Sequence, residues 1–149
     1  EILAALGWTA DELDAALPPR YAYAGARFPI LAAATRERLA ELDYDFDRLR
    51  ALLEARDCIT LQLVFRRDAA MFDARDPFPT GGVVEDPATG AAAAAFGGYL
   101  RELGLVTLPA QITIHQGEDM GRPSVLHVAI PVDGGIAVSG RAVVLPASS

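Results

Sequence analysis

The stretch from Ala88 to Leu103 constrains this chain most. Five consecutive alanines, Ala91 to Ala95, are followed by Phe96, Gly97, Gly98, Tyr99 and Leu100, and the only charges, Arg101 and Glu102, come at the end. Alanine is the strongest helix former, and Gly104 is suited to the left-handed residue that terminates a helix. From Ala91 to Leu100 no polar stripe breaks the apolar surface. A helix that is apolar all round is buried all round. This one is too short to cross a bilayer, which needs about 20 apolar residues. Gly97 and Gly98 each cost about 1 kcal/mol relative to Ala inside a helix, a cost that close approach by surrounding backbone would offset. A sheet curled around a thin central helix meets these demands.

The segments on either side supply such a sheet. Arg27 to Ala33 is the best strand candidate in an extended region, Tyr21 to Ala34. Ile59 to Arg66 alternates, with Ile59, Leu61, Leu63 and Phe65 on one side and Thr60, Gln62 and Arg66 on the other, the pattern of a half-buried strand. Met71 to Arg75 is its expected partner, with Arg67-Asp68 in the turn and a loop from Asp76 to Gly82. Beyond the helix, Gln111 to Leu145 reads as an antiparallel meander, turned by Asp133-Gly134-Gly135. Helices are expected at Ala10 to Leu17, from the capping box Thr9-Ala10-Asp11-Glu12, at Arg36 to Leu42 behind Thr35, and at Asp45 to Ala55, where Phe46, Leu49, Leu52 and Leu53 share a face. The fold class is α+β: a mixed, largely antiparallel curled sheet around a central apolar helix.

Charge and cysteine content narrow the function. The 149 residues carry a formal net charge of −7, and no residue is Lys. A nucleic-acid binder needs clustered cations to displace counterions from phosphates. Here the Arg residues are scattered among acids, so neither nucleic acid nor an anionic membrane is an expected partner. Cys58 is the single cysteine, which rules out an internal disulfide and a multi-cysteine metal site. A cytoplasmic location is the default expectation for such a chain. Cys58 falls between a helix and a strand and is expected to be structural. His115 and His127 lie on expected strands with no third ligand, a weak metal pattern. The chain opens on Glu1 and is already inside an element, so it is expected to be a piece of a longer protein.

The start of the central helix is the best candidate for chemistry. Asp86-Pro87 favours a bend, because the residue before proline avoids the helical region. Asp86 or Thr89 can cap the helix. The N–H groups of Thr89, Gly90 and Ala91 would then face outward at the positive end of the helix dipole, a setting suited to a carboxylate. Gly90 would let a ligand come close to the backbone. Capping alone also accounts for Asp86, and local sequence leaves both readings open.

Two motifs carry a family resemblance. Glu85-Asp86-Pro87-Ala88-Thr89-Gly90-Ala91-Ala92 resembles the EDPATGSA signature of phenazine-biosynthesis-like (PhzF-like) isomerases. Gln116-Gly117, followed by Met120-Gly121-Arg122-Pro123-Ser124, resembles their second signature, QG-x-x-x-GRPS. The resemblance covers most of the chain and corresponds to the C-terminal half of a family member. It implies the diaminopimelate-epimerase-like fold, with two lobes, each a sheet around a central helix, and a site between them. It further implies a cofactor-independent proton shift on a small carboxylic acid, such as a dihydro-hydroxyanthranilate or an amino acid, and it suggests a homodimer.

Carried over by position, Asp86 is the implied catalytic and amine-contacting residue, and Thr89, Gly90 and Ala91 belong to the substrate-binding helix start. Ala91 departs from the family's usual Ser, which puts the substrate in doubt. The resemblance places the principal acid/base glutamate in the other lobe, so Glu85 is not expected to replace it, and this chain alone is expected to be inactive. Arg122 and Ser124 are expected to fix a turn, and Arg75 either pairs with an acid or faces the cleft. The competing reading is a non-catalytic member of the same fold that binds a small anion or a protein.

Overall fold

The computed structural model describes residues 1–144 and 146. In chain order its elements are α1 (Ile2–Leu6), β1 (Arg20–Tyr23), β2 (Arg27–Ala32), α2 (Arg36–Ala40), α3 (Phe46–Ala55), β3 (Gln62–Asp68), β4 (Met71–Pro77), β5 (Glu85–Asp86), α4 (Gly90–Glu102), β6 (Ala110–Gln116), β7 (Ser124–Ile130) and β8 (Ala137–Gly140). The strands form one sheet in the order β1-β2-β3-β4-β6-β7-β8, with β5 paired to β4. The β2–β3 and β4–β6 pairs are parallel and the others antiparallel. The sheet curls into an open half-barrel around α4, the α+β arrangement anticipated from the apolar helix.

The period-2 alternation of the strands divides the core in two. Residues Ile30 and Ala32, Val64, Phe72 and Ala74, Ile112 and Ile114, and Val128 and Ile130 face α4, where they enclose Ala92, Ala93, Ala95, Phe96, Tyr99 and Leu100. Phe72 meets Phe96 edge-on, with centroids 4.8 Å apart at 81°. The Tyr99 hydroxyl donates to the Pro18 carbonyl at 2.8 Å, and burial pushes its phenol up to about 12. The opposite parity, Leu31, Ala33, Leu61 and Leu63, packs on the outside against α1, α2 and α3.

Because helices cover both faces there, β3 is not the half-buried strand expected from its alternation. Gln62, Leu63 and Val64 are all fully buried, whereas Ile59 is 45% exposed. The regular strand begins only at Gln62, and the turn to β4 lies at Ala69 and Ala70 rather than Arg67-Asp68.

Other boundaries moved for identifiable reasons. The expected helix from Ala10 to Leu17 is a single 3-10 turn, Ala10–Glu12. Its cap is real, with the Thr9 N–H donating to Glu12 Oε2 at 2.9 Å. The chain then leaves the helical path because Leu13 bridges to Ala33 and the Asp14 N–H bonds to the Ala32 carbonyl at 2.8 Å. Thr35 and Asp45 do cap α2 and α3 through the N–H groups of Arg38 and Arg48. The expected loop from Asp76 is instead the end of β4, with a 3-10 turn at Pro79–Gly81. The expected return strand to Leu145 is regular only over Ala137–Gly140, and Leu145 lies outside the described residues.

The central helix runs as expected and ends before Gly104, at φ 66°. Its two internal glycines have different reasons. A Cβ on Gly97 would sit 2.9 Å from Ile136 Cγ2 and 3.0 Å from Val128 Cγ1, whereas one on Gly98 would meet nothing within 4 Å. Gly98→Ala is expected to raise stability by about 0.5–1 kcal/mol, the propensity gain alone. Gly97→Ala is expected to lower it, because overpacking costs about 1–3 kcal/mol and outweighs that gain. Urea denaturation of the two variants checks both signs.

Candidate functional site

Three neighbouring strands change character at the same end of the half-barrel. On the α4-facing parity, β3 passes from Val64 to Gln62, β4 from Ala74 to Asp76, and β6 from Ile114 to Gln116. Each apolar residue gives way to a polar one, and Gln62, Asp76 and Gln116 are all fully buried. This polar end lies beneath the N-terminus of α4. In the β4–β5 pair Asp76 stands opposite Asp86, and in the β4–β6 pair Ala74 stands opposite Gln116.

Gln116 organises the helix start. Its Nε2 donates to the Asp86 carbonyl at 2.9 Å and to Thr89 Oγ1 at 3.0 Å, while its Oε1 accepts from the Thr89 N–H at 3.3 Å. The Thr89 hydroxyl donates to Asp86 Oδ2 at 2.7 Å. Ser124 Oγ lies 2.9 Å from the Pro87 carbonyl and 3.1 Å from that of Gln116, so one hydroxyl hydrogen serves both. Thr89 is the N-cap by position, but its side chain makes no capping bond. Asp86 instead accepts at long range from the Ala88 N–H, at 3.5 Å.

These bonds decide which parts of the helix start face outward. The Thr89 N–H and hydroxyl are both engaged inside the protein, so Thr89 shapes the site from beneath. The N–H groups of Gly90 and Ala91 have no acceptor within the first helical turn, and no other described group accepts from them. Both residues are exposed and Asp86 is half-buried. The result is an open shelf with two unpaired amides at the positive end of a helix dipole and a carboxyl beside them. Such a shelf suits a small molecule carrying a carboxylate for the amides and a donor for Asp86.

Glu85 does not belong to that shelf. It is turned into the protein, where Arg75 grips it twice, Nη2–Oε1 at 2.7 Å and Nε–Oε2 at 3.1 Å. Arg75 Nη1 also donates to the carbonyls of Leu39 and Ala40, at 3.3 and 2.8 Å, closing the end of α2. Arg75 therefore pairs with an acid rather than facing the cleft. The Tyr44 hydroxyl donates to the Val84 carbonyl next door, and burial, aided by the Glu85 carboxylate, pushes that phenol up to about 12.

The second motif locks the first in place through Gly117. At φ 85°, this residue lies so close to its neighbours that a Cβ would be 2.1 Å from the Arg122 carbonyl oxygen and 2.9 Å from that of Pro87. The Arg122 N–H returns to the Gly117 carbonyl at 2.9 Å. Arg122 thus contributes backbone to a turn, and Ser124 ties that turn to Pro87.

The remaining candidates lie away from the shelf. Cys58 is buried at the bridge to Arg27, and burial raises its thiol. His115 Nδ1 is 3.5 Å from Glu118 Oε1, and His127 is exposed on β7. Among the described residues no three His, Cys, Asp or Glu side chains converge as a metal site would require, and no helix is long and apolar enough to cross a membrane.

Asp76 is the residue that local reading missed. Burial pushes its carboxyl well above the usual range against the opposing pull of the Thr89 hydroxyl, and the nearby Asp86 and Glu85 carboxylates push it up as well. The available signal was parity, since Phe72, Ala74 and Asp76 alternate onto the core face.

Comparison with known proteins agrees with this architecture. A family model described as "Phenazine biosynthesis-like protein" matches residues 1–147. A Mesorhizobium japonicum protein described as an uncharacterized isomerase is 47% identical over 58 residues, 38% of this chain and 19% of that one. The structure of a protein titled a predicted epimerase from Pseudomonas aeruginosa superposes with a TM-score of 0.74 at 29% identity, covering 98% of this chain and 51% of that one. A Bacillus anthracis protein titled as of the PhzF family superposes at 0.73 and 16% identity, covering 92% and 49%. The chain therefore spans about half the length of these solved relatives.

Proposed function

The chain belongs to the phenazine biosynthesis-like protein family, and on that premise we propose that it is one lobe of an isomerase that shifts a proton within a small carboxylic acid. The observation that carries this reading is the pairing of Asp86 with the unpaired Gly90 and Ala91 amides on an exposed shelf. The amides and the α4 dipole take the substrate carboxylate. Asp86 takes the amine of an anthranilate-like or amino-acid-like substrate and assists proton movement. Acid/base transfer needs a second group across the substrate, and a second lobe facing the shelf supplies it. No step in this scheme calls on a cofactor.

The test is a titration of the labelled chain with benzoate, anthranilate and an amino acid, followed through its amide resonances. All three ligands are expected to shift Gly90 and Ala91. Asp86→Asn is expected to weaken the two amine-bearing ligands and leave benzoate unchanged. Shifts confined to other residues would overturn the assignment. Ala91→Ser adds a donor at the shelf and is expected to tighten carboxylate binding by about 0.5–1.5 kcal/mol. The chain alone is expected to bind without exchanging the substrate's carbon-bound hydrogen for deuterium. Exchange by the isolated chain would defeat the two-lobe mechanism.

Ala91 favours one second reading, a non-catalytic member that binds a small anion or a protein. Carboxylate binding without carbon–hydrogen exchange in the complete two-lobe protein supports that alternative.

A further inference from the structure

The turn inside the second motif is tied to the rest of the protein through its acids. Glu118–Met120 is a single 3-10 turn between Gly117 and Gly121, both left-handed, at φ 85° and 74°. Among the described residues its backbone bonds stay within the turn and its two ends. The Met120 N–H donates to the Gly117 carbonyl at 3.3 Å, and the Gly121 N–H to that of Glu118 at 3.1 Å. The acidic side chains reach outward instead. Asp119 Oδ2 accepts from Arg36 Nη2 at 2.9 Å and lies 4.0 Å from Arg75 Nε. Glu118 lies 3.5 Å from Arg67 Nη2 and, through its other oxygen, 3.5 Å from His115 Nδ1.

Two of these guanidiniums converge on one buried acid. Asp73, on the outward parity of β4, is 2% exposed and lies 3.0 Å from Arg36 Nε and 2.6 Å from Arg67 Nη2. Arg36 opens α2 and is therefore a fork, with one N–H on Asp73 and another on Asp119. A planar guanidinium presents its donors in fixed directions, which suits it to bridging two acids in a way a single ammonium is not. Arg75, which grips Glu85 on β5, also turns its Nε toward Asp119. The two motifs are thus joined by ions on the outside of the sheet as well as by backbone beneath α4.

What the turn adjoins gives this its consequence. Gly117 lies against the Pro87 carbonyl, Ser124 ties Pro87 to Gln116, and Gln116 holds Asp86 and Thr89. A displaced turn therefore displaces the start of α4.

We propose that Arg36 is a positioning residue for the Gly90–Ala91 shelf, acting through Asp119 and the Gly117 turn. Asp73 is the anchor: it sits within the sheet, so the fork fixes the turn relative to β4. No group of this network touches the substrate. Its bearing on ligand binding rests on the reading of the shelf as a carboxylate site, whereas the position of the amides is read with no ligand present.

The test uses amide spectra of the labelled full chain, first without ligand. Arg36→Gln is expected to move the resonances of Gly90 and Ala91 together with that of Gly117. Asp119→Asn should move the same three in the same direction, and the double variant should go little further than Arg36→Gln alone. Arg50→Gln breaks an exposed pair with Glu54 on α3 and should leave all three in place. Arg36→Lys keeps the charge but not the fork, so it should recover the urea midpoint while the shelf stays displaced. Movement at Gly117 without movement at Gly90 and Ala91 overturns the proposal, as do simply additive effects or wild-type shelf resonances in Arg36→Lys. If Arg36→Gln does not fold, Asp119→Asn decides by the same resonances. Benzoate, added last, should bind both single variants about three- to tenfold more weakly than wild type; equal affinity in the face of a displaced shelf overturns the functional part. Failure of wild type to bind benzoate would defeat the shelf reading itself, and the ligand-free spectra would still decide the link.

Discussion

Glu85→Ala is expected to cost about 3–5 kcal/mol of stability, a large effect for a single substitution. The side chains of Glu85 and Arg75 are only 5% and 9% exposed. Removing the carboxylate leaves a buried guanidinium whose remaining partners are the carbonyls of Leu39 and Ala40 and, at 4.0 Å, the Asp119 carboxylate. An unpaired buried charge costs far more than the pair itself contributes. The loss falls on the seam joining α2, β4 and β5, so it also loosens the segment from which Asp86 projects. Against a total stability of about 5–15 kcal/mol for an ordinary domain, the variant should unfold at markedly lower urea. A companion Arg75→Met, Glu85→Leu double variant should recover much of the loss, because it removes both charges together. A Glu85→Ala midpoint within experimental error of wild type would show that this pair does not clamp the seam.

Gly117→Ala is the second large effect, at about 2–5 kcal/mol, combining left-handed backbone strain with overpacking. The methyl would collide with the Arg122 and Pro87 carbonyl oxygens, both fixed backbone atoms. Pro87 is held by Ser124, and Asp86 and Thr89 are held by Gln116. The displacement therefore passes directly into the helix start. Gly121→Ala provides the control. Gly121 has a similar φ of 74°, but a Cβ there meets nothing within 4 Å, so that variant should show only the backbone strain of about 1–2 kcal/mol. Urea midpoints separate the two. The amide resonances of Gly90 and Ala91 should move in Gly117→Ala and stay in place in Gly121→Ala.

These two residues also show what local reading could reach. Glu85 and Gly117 stood out as parts of motifs, yet a motif does not state why its members are there. Glu85 is explained by Arg75, ten positions earlier and paired to it only because β5 folds back on β4. Gly117 is explained by its approach to Pro87, thirty positions earlier, which is invisible without the β6 turn against the helix start. Pro77, Pro79, Gly81 and Gly82 all follow Asp76 and point to a loop there, yet β4 runs through Asp76 to Pro77 and the turn at Pro79–Gly81 comes only beyond it. The failed helix at Ala10 to Leu17 has a related cause. Its capping box formed, but the β-bridge of Leu13 to Ala33 took the chain before a second helical turn could close.

By itself the sequence determined that a thin, small-residue helix would be enclosed, that it would stop at Gly104, and that an acid would stand close before its first turn. Those properties depend on residues close together in the chain, on helix propensity, on alanine's size and on the backbone chemistry of the first turn. Only the tertiary structure decided which end of the core is polar, which amides remain free and which carboxyl is pushed up by burial. Each depends on strands β3, β4 and β6 lying side by side beneath α4, so that Gln62, Asp76 and Gln116 share one floor. Burial and hydrogen-bond partnership are properties of neighbours in space, and those neighbours come from segments far apart in the chain.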